Sequence, residues 1–142
     1  MQGNPNKWLR KAFFDKLNNI MVDGFSIPCF DERVTGSFVP FHYILLSTQT
    51  KREDKYNKCN DRWDCDILLD IITTYPATGN TGSKLLAENI EEQVINLENS
   101  ISLGGGFKIN ERSLVSSDSQ TTIGVTTNVF RQLIRFQYFI TQ

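Results

Sequence analysis

The sequence has three cysteines, a single histidine and no long apolar run. Cys29, Cys59 and Cys65 are odd in number and match the spacing of no zinc or haem motif, so we expect free thiols and synthesis in a reducing cytoplasm. The longest aliphatic run, Ile44 to Leu46, is far too short for a membrane span, and the first residues contain no apolar stretch of signal-peptide length. These absences disfavour a disulfide framework, classical export and a membrane protein.

An excess of charge of one sign is also missing. Fifteen Lys and Arg residues are balanced by sixteen Asp and Glu residues, for a net charge of -1. A protein that grips the phosphates of nucleic acids needs a one-sided basic field, so a dedicated DNA- or RNA-binding domain is disfavoured. With 142 residues, 39% of them hydrophobic and 22% charged, the chain has the size and apolar content of one domain spanning 1–142.

Two segments have the spacing of amphipathic helices. From Lys7 to Met21, apolar residues recur three and four positions apart. A second apolar stripe runs from Leu86 to Ile101, with Thr81 or Ser83 as N-cap candidates. Gly104 to Gly106 follow this stripe and are expected to end the helix, because a phosphate-binding loop would open a helix instead.

Several segments have the composition of β-strands, with turn-forming residues between them. The expected strands are Phe25 to Phe30, Val39 to Thr50, Arg62 to Tyr75, Phe107 to Val115 and Val129 to Thr141. The Ser-, Asp- and Thr-rich segment 116–122 is predicted to form a turn. Two helices and about five strands predict an α+β fold, a two-layer sandwich in which both helices pack on one face of a mostly antiparallel, mixed sheet.

The second long strand, Arg62 to Tyr75, has the period-two pattern of a half-buried strand, with Trp63, Cys65, Ile67, Leu69 and Ile71 on one face. Asp64, Asp66 and Asp70 project from its polar side, and Arg131 and Arg135 project from the polar side of the last strand. We therefore expect the sheet face opposite the helices to be polar and free to meet water or a partner.

Those three aspartates are the first candidates for catalysis. Carboxylates two positions apart on a strand point the same way and could share a divalent cation, as in a small metal-dependent enzyme. Alternation alone also places acids on a solvated face, and no Lys or His at a fixed spacing completes a nuclease-like set. His42, the only histidine, lacks a Ser or Cys partner motif and is interpreted as a structural residue. We expect no enzymatic activity, no metal and no cofactor.

The charged segment 51–61, KREDKYNKCND, is predicted to be a solvated loop or hairpin arm between two strands. Its acidic residues largely cancel its Lys and Arg, and its length is typical both of an inert surface loop and of a binding element. We hypothesise that it contacts other subunits or an adjoining ring. The interaction candidates are Lys51, Arg52, Glu53, Asp54, Lys55, Tyr56 and Lys58, together with Asp64, Asp66, Asp70, Arg131 and Arg135.

The order and character of the elements resemble a known family over nearly the whole chain. An opening helix is followed by VPFHYILLSTQT, a long polar loop, WDCDILLDIITTY, SKLLAENIEEQVINL and finally FRQLIRFQYFIT. Together these segments resemble the tail-terminator and tail-completion proteins of tailed bacteriophages.

The resemblance implies a non-catalytic virion subunit that forms a ring of six or twelve copies at the head-proximal tail end or in the neck. Its implied partners are further copies of itself and the tail tube, portal or collar proteins. Genomic DNA would pass through the lumen without specific binding, and no membrane would be involved. The alternatives are the metal-dependent enzyme and a homodimeric α+β ligand-binding module that pairs through an open sheet edge.

Overall fold

The computed structural model describes residues 4–31, 34, 40–53, 62–77 and 82–142. Its elements, in chain order, are α1 (Pro5–Leu17), β1 (Ile20–Val22), β2 (Phe25–Ile27), β3 (Cys29–Asp31), β4 (His42–Glu53), β5 (Arg62–Pro76), α2 (Leu85–Glu98), β6 (Lys108–Ile123) and β7 (Thr127–Thr141). Neither helix is long and apolar enough to cross a membrane within these ranges.

Five strands form the main sheet in the order β3-β4-β5-β7-β6, and β1 and β2 form a separate two-stranded sheet. Only the β3–β4 pair is parallel, whereas β4–β5, β5–β7 and β6–β7 are antiparallel. Helix α1 contacts β3, β4 and β5, and α2 contacts β5 and β7. The expected α+β fold with a mixed, mostly antiparallel sheet is therefore confirmed.

The core lies between the helices and the sheet. The apolar positions of β5 and β7 fill it from one side, and the buried stripes of α1 and α2 fill it from the other. Its fully buried side chains include Phe13 of α1, Ile90 of α2, Ile67 of β5 and Tyr138 of β7. The period-two pattern thus predicts correctly which face of β5 and of β7 packs against the helices.

The first helix is shorter than predicted. It ends at Leu17 instead of Met21, because the backbone of Asn18 is extended and Asn19 then adopts a left-handed conformation with φ of 60°. The next residues form β1, in which Ile20 pairs with Ile27 of β2. Apolar residues that continue a helical spacing therefore belong to a hairpin, in which Val22 is buried.

Helix α2 also ends earlier than predicted, at Glu98. The guanidinium of Arg112 donates to the carbonyl oxygen of Glu98, the last residue of the helix, and to that of Ile101 just beyond it. The three glycines follow several residues later, where Gly104 and Gly105 lie against the ring of Trp8. At the other end the Ser83 hydroxyl accepts a bond from the backbone N–H of Leu85, and Thr81 lies outside the described residues.

The predicted turn at 116–122 is wrong, since these residues belong to β6. The hairpin instead turns at 124–126, where the N–H of Gly124 donates to the carbonyl of Thr127. Strand β7 offers a continuous partner along the whole segment, so the backbone groups that face β7 are paired despite turn-favouring side chains. In addition, the hydroxyls of Ser117 and Ser119 hydrogen-bond the side chain of Gln132.

The predicted loop 51–61 begins later than expected. Lys51, Arg52 and Glu53 extend β4 and pair with Cys65, Asp64 and Trp63 of β5. The remaining candidates of this segment, Asp54, Lys55, Tyr56 and Lys58, lie outside the described residues.

Candidate functional site

The sheet face opposite the helices, here called the open face, carries a row of cross-strand polar pairs. In the antiparallel β5–β7 ladder Asp66 lies opposite Gln137, and Asp70 lies opposite Leu133. Each aspartate contacts the residue two positions before its direct partner, which is its diagonal neighbour on the same face. We call the resulting set of pairs the ionic ladder: Asp64 with Gln137, Asp66 with Arg135, and Asp70 with Arg131.

The Asp70–Arg131 pair is the most enclosed part of the ladder. The Arg131 Nε donates to Oδ1 of Asp70 at 3.2 Å, and its Nη2 donates to Oδ2 of the same carboxylate. Asp70 is buried, with only 4% of its side chain exposed, and Arg131 is 39% exposed. The hydrogen bond to Asp70 raises the pKa of Arg131, and burial together with Asp70 raises the pKa of nearby Tyr43.

Asp66 occupies the middle of the ladder. Its Oδ2 accepts a hydrogen bond from Nη1 of Arg135 at 3.1 Å. Its Oδ1 accepts from both the backbone N–H and the hydroxyl of Thr50, at 3.1 and 2.6 Å. This carboxylate therefore links β4, β5 and β7.

Asp64 lies at the more solvated end. The amide of Gln137 donates to its Oδ1 at 2.8 Å, and the guanidinium of Arg52 lies 3.8 Å from its Oδ2. Arg52 is 85% exposed. Lys51 projects to the helix side of the sheet instead, where its Nζ reaches Oδ1 of Asn4 at 3.3 Å.

The ladder leaves no carboxylate oxygen of Asp64, Asp66 or Asp70 without a protein partner. Within the described ranges, no group of three or more His, Cys, Asp or Glu side chains could hold a metal ion. The aspartates thus lie on one face, as the alternation predicted, together with Arg131 and Arg135. What the geometry provides is a hydrogen-bonded surface whose opposite charges compensate each other.

His42 lies at one end of the helix-side face, among aromatic rings. Its ring centroid is 5.0 Å from that of Phe25 and 5.3 Å from that of Tyr75. Burial lowers the pKa of His42. The environment is that of a packed aromatic cluster, in keeping with the structural interpretation.

Two of the three cysteines fall within the described residues, and both are buried free thiols. Burial raises the pKa of Cys29 and of Cys65 to about 12. Cys59 lies outside the described residues.

A buried polar cluster that the sequence did not reveal lies under α2. The Tyr138 hydroxyl donates to Oε1 of Glu98 at 2.7 Å, and burial raises the pKa of Tyr138. Glu98 is only 4% exposed. Since Tyr138 and Arg112 pair across β6 and β7, only the strand register brings both of them to the end of α2.

Comparison with known proteins gives one informative result. No protein-family model matches the sequence, and no curated protein matches it. Among solved structures, the fold is similar to that of a chain from a structure described as the virion of a native gene transfer agent particle, with a TM-score of 0.66. The superposition covers 94% of this chain and 96% of that chain, at 12% sequence identity.

Proposed function

We propose that the chain is a structural subunit of a phage-like virion that forms a ring at the head-proximal end of the tail or in the neck. The observation that carries this proposal is the near-complete superposition on a chain of a gene transfer agent virion, which leaves almost nothing unmatched in either protein. The neighbour is thus a whole subunit of similar size, and not a domain of a larger enzyme. The bacteriophage resemblance of the sequence favours the same class of protein.

The open face supports a role in contact without catalysis. Its carboxylates and guanidiniums neutralise one another within the subunit. A lumen that conducts DNA must avoid strong attraction, because each phosphate neutralised by a free cation adds to the affinity. We therefore propose that the ionic ladder faces the lumen, where it lets the genome pass without being held.

The finer role follows the sequence resemblance. We propose that the ring terminates the tail or joins it to the head as a tail-terminator, tail-completion or collar protein, with six or twelve copies in the virion. We propose that segment 54–61 and the adjoining end of β4 contact neighbouring subunits or the next ring. The proposed partners in that next ring are tail tube, portal or collar proteins.

The proposal is tested on the purified protein. Light scattering over a wide concentration range, together with negative-stain electron microscopy, is expected to find closed rings with a central opening. Incorporation of the chain into particles would appear as its peptides in the mass spectrum of purified virions. Monomers at every concentration combined with absence from the virions would overturn the proposal.

A two-fold dimer is the second candidate, and one observation favours it. Among the described strands, β6 is an edge of the sheet and pairs with β7 alone, over sixteen residues. The opposite edge, β3, has three residues, and the N–H of Cys29 in it donates to Oδ1 of Asn18. Pairing between two β6 strands would therefore give a dimer, which the same light-scattering experiment separates from a ring.

A further inference from the structure

Helix α1 carries a basic stripe on its outer side. Lys7, Arg10, Lys11 and Phe14 lie at offsets of zero, three, four and seven, which places them on one face of the helix. Phe14 is half-buried against the core, and the three cations surround it along a cleft of about 370 Å³ that also includes Asp31. Arg10 lies 3.4 Å from Asp31 of β3, so the stripe is directed towards the β3 edge of the sheet.

The cations of this stripe are only partly neutralised within the chain. Lys11 pairs with Asp15 at 2.6 Å, and both side chains are well exposed. Lys7 lies over the ring of Trp8, 5.6 Å from its centroid. Charge on this side of α1 is therefore positive, at exposed positions that can accept a further anionic partner.

Helix α2 carries the matching acidic stripe. Glu88, Glu91, Glu92 and Ile95 repeat the same offsets of zero, three, four and seven. Ile95 is half-buried against the core in the same way as Phe14. Glu91 accepts a hydrogen bond from Ser117 of β6, so this stripe is directed towards the β6 edge of the sheet.

In the part of the chain that the structure describes, no ion pair neutralises the acidic stripe. From Leu85 to Phe107 the sequence contains no Lys, Arg or His. Among the described residues, none of the ion pairs includes Glu88, Glu91 or Glu92. Next to the stripe, a polar cleft of about 310 Å³ lined by Asp23 and Glu92 adds to the negative charge.

We propose that the α1 stripe of one copy docks against the α2 stripe of the next copy. The two stripes have opposite charge, identical spacing and one half-buried apolar residue each, so ion pairs and apolar contact form together. The two stripes lie on opposite flanks of the helical layer. A pair of docked copies therefore still has one unoccupied basic stripe and one unoccupied acidic stripe. Such a head-to-tail contact generates a closed ring when the rotation between copies closes. This inference rests on the proposed function, since it names the contact between neighbouring ring subunits.

Charge reversal tests the contact directly. The variants are Lys7→Glu with Lys11→Glu, and Glu88→Lys with Glu92→Lys. They leave the ion pair of Arg10 and the hydrogen bond of Glu91 in place. We expect each double variant to need a concentration about tenfold higher, or more, to assemble. Glu111→Lys with Asp118→Lys, on exposed β6 positions, is the charge-matched control for the Glu88→Lys, Glu92→Lys variant and should assemble like the wild type. Circular dichroism and thermal melting confirm that the exposed substitutions leave the fold intact.

Recombining the charges gives the decisive measurement. A one-to-one mixture of the two double variants, and a single chain with all four substitutions, are both expected to regain the mass of the wild-type assembly by light scattering. Raising the salt from about 0.05 to 0.5 M should increase the concentration that the wild type needs to assemble, with little change in the melting temperature of the subunit.

The outcomes separate this contact from the proposed function. Wild-type rings that persist in both double variants would overturn the α1–α2 contact and leave the ring intact as a proposal. Charge-sensitive assembly that stops at two copies would also overturn the head-to-tail contact. A wild-type protein that neither assembles nor occurs in virions would instead overturn the proposed function.

Discussion

Replacing Arg131 by Met tests the ionic ladder at its most buried pair. The substitution keeps most of the aliphatic bulk and removes both hydrogen bonds to Asp70, whose side chain is 4% exposed. An ion pair broken in this way leaves a buried charge without compensation, which costs about 3–5 kcal/mol. Because Arg131 is itself 39% exposed and water reaches the guanidinium side, we expect the lower end, about 3 kcal/mol.

The same reasoning predicts a gradient along the ladder. Arg135→Met should cost roughly 1–2 kcal/mol, because Asp66 keeps its two hydrogen bonds from Thr50. Arg52→Ala should change the stability by less than about 0.5 kcal/mol, since Arg52 is 85% exposed and lies 3.8 Å from its partner.

Urea unfolding of dilute protein, with stability extrapolated to water, measures these costs. The double variant Asp70→Leu with Arg131→Met removes the uncompensated charge and should recover to within about 1 kcal/mol of the wild type. If Arg131→Met lowers the free energy of unfolding by less than about 1 kcal/mol, or by no more than Arg52→Ala does, the reasoning is refuted. Burial of Asp70 would then not explain how much each pair of the ladder contributes to stability.

Three further predictions concern the histidine, the thiols and the glycine loop. Burial holds the pKa of His42 below its ordinary 6.5, so the folded protein favours the neutral ring. The stability from this preference is complete above pH 6.5 and falls as the pH drops below 6.5, by at most about 1.4 kcal/mol per pH unit. His42→Gln should flatten this slope in urea titrations between about pH 7.5 and 5.5. With pKa values of about 12, Cys29 and Cys65 should not react with a disulfide reagent in the native protein at neutral pH, whereas denatured protein should titrate three thiols; labelling of both before unfolding would contradict this. Gly105→Ala should cost at least about 1 kcal/mol more than Gly106→Ala in thermal melts, because both have positive φ but only the added methyl of the first would meet the α1 tryptophan, at 2.5 Å.

The spacing of apolar residues predicts a helix or strand well where the whole element packs with a single periodicity. The alternation of Arg62 to Tyr75 identifies the buried face of β5 because every second residue meets the helices. It fails at 116–122, where Ser, Asp and Thr favour a turn locally but every residue pairs with a residue of β7 along one side of the strand. It also fails after Leu17, because a helical spacing of apolar residues continues into a hairpin that buries the same residues differently.

The candidate sites show why a face is easier to predict than a contact. The period-two pattern fixes which side of β5 and β7 carries Asp66 and Arg135, but a shift of the register by two residues would preserve both faces and change every partner. No tight turn joins β5 to β7, since α2 and β6 intervene, so only packing across the sheet selects the register in which Arg131 reaches Asp70.

The charge stripes of the two helices can likewise be found in the sequence, but the parts of the fold that they contact cannot. Their spacing is visible in the sequence, yet their directions towards opposite edges of the sheet emerge only from the contacts of Arg10 with β3 and of Glu91 with β6. If the two stripes lay on the same flank, two copies could satisfy both at once and assembly would end at a dimer. The separation of opposite charges onto opposite flanks is therefore what makes continued, ring-forming association the expected result.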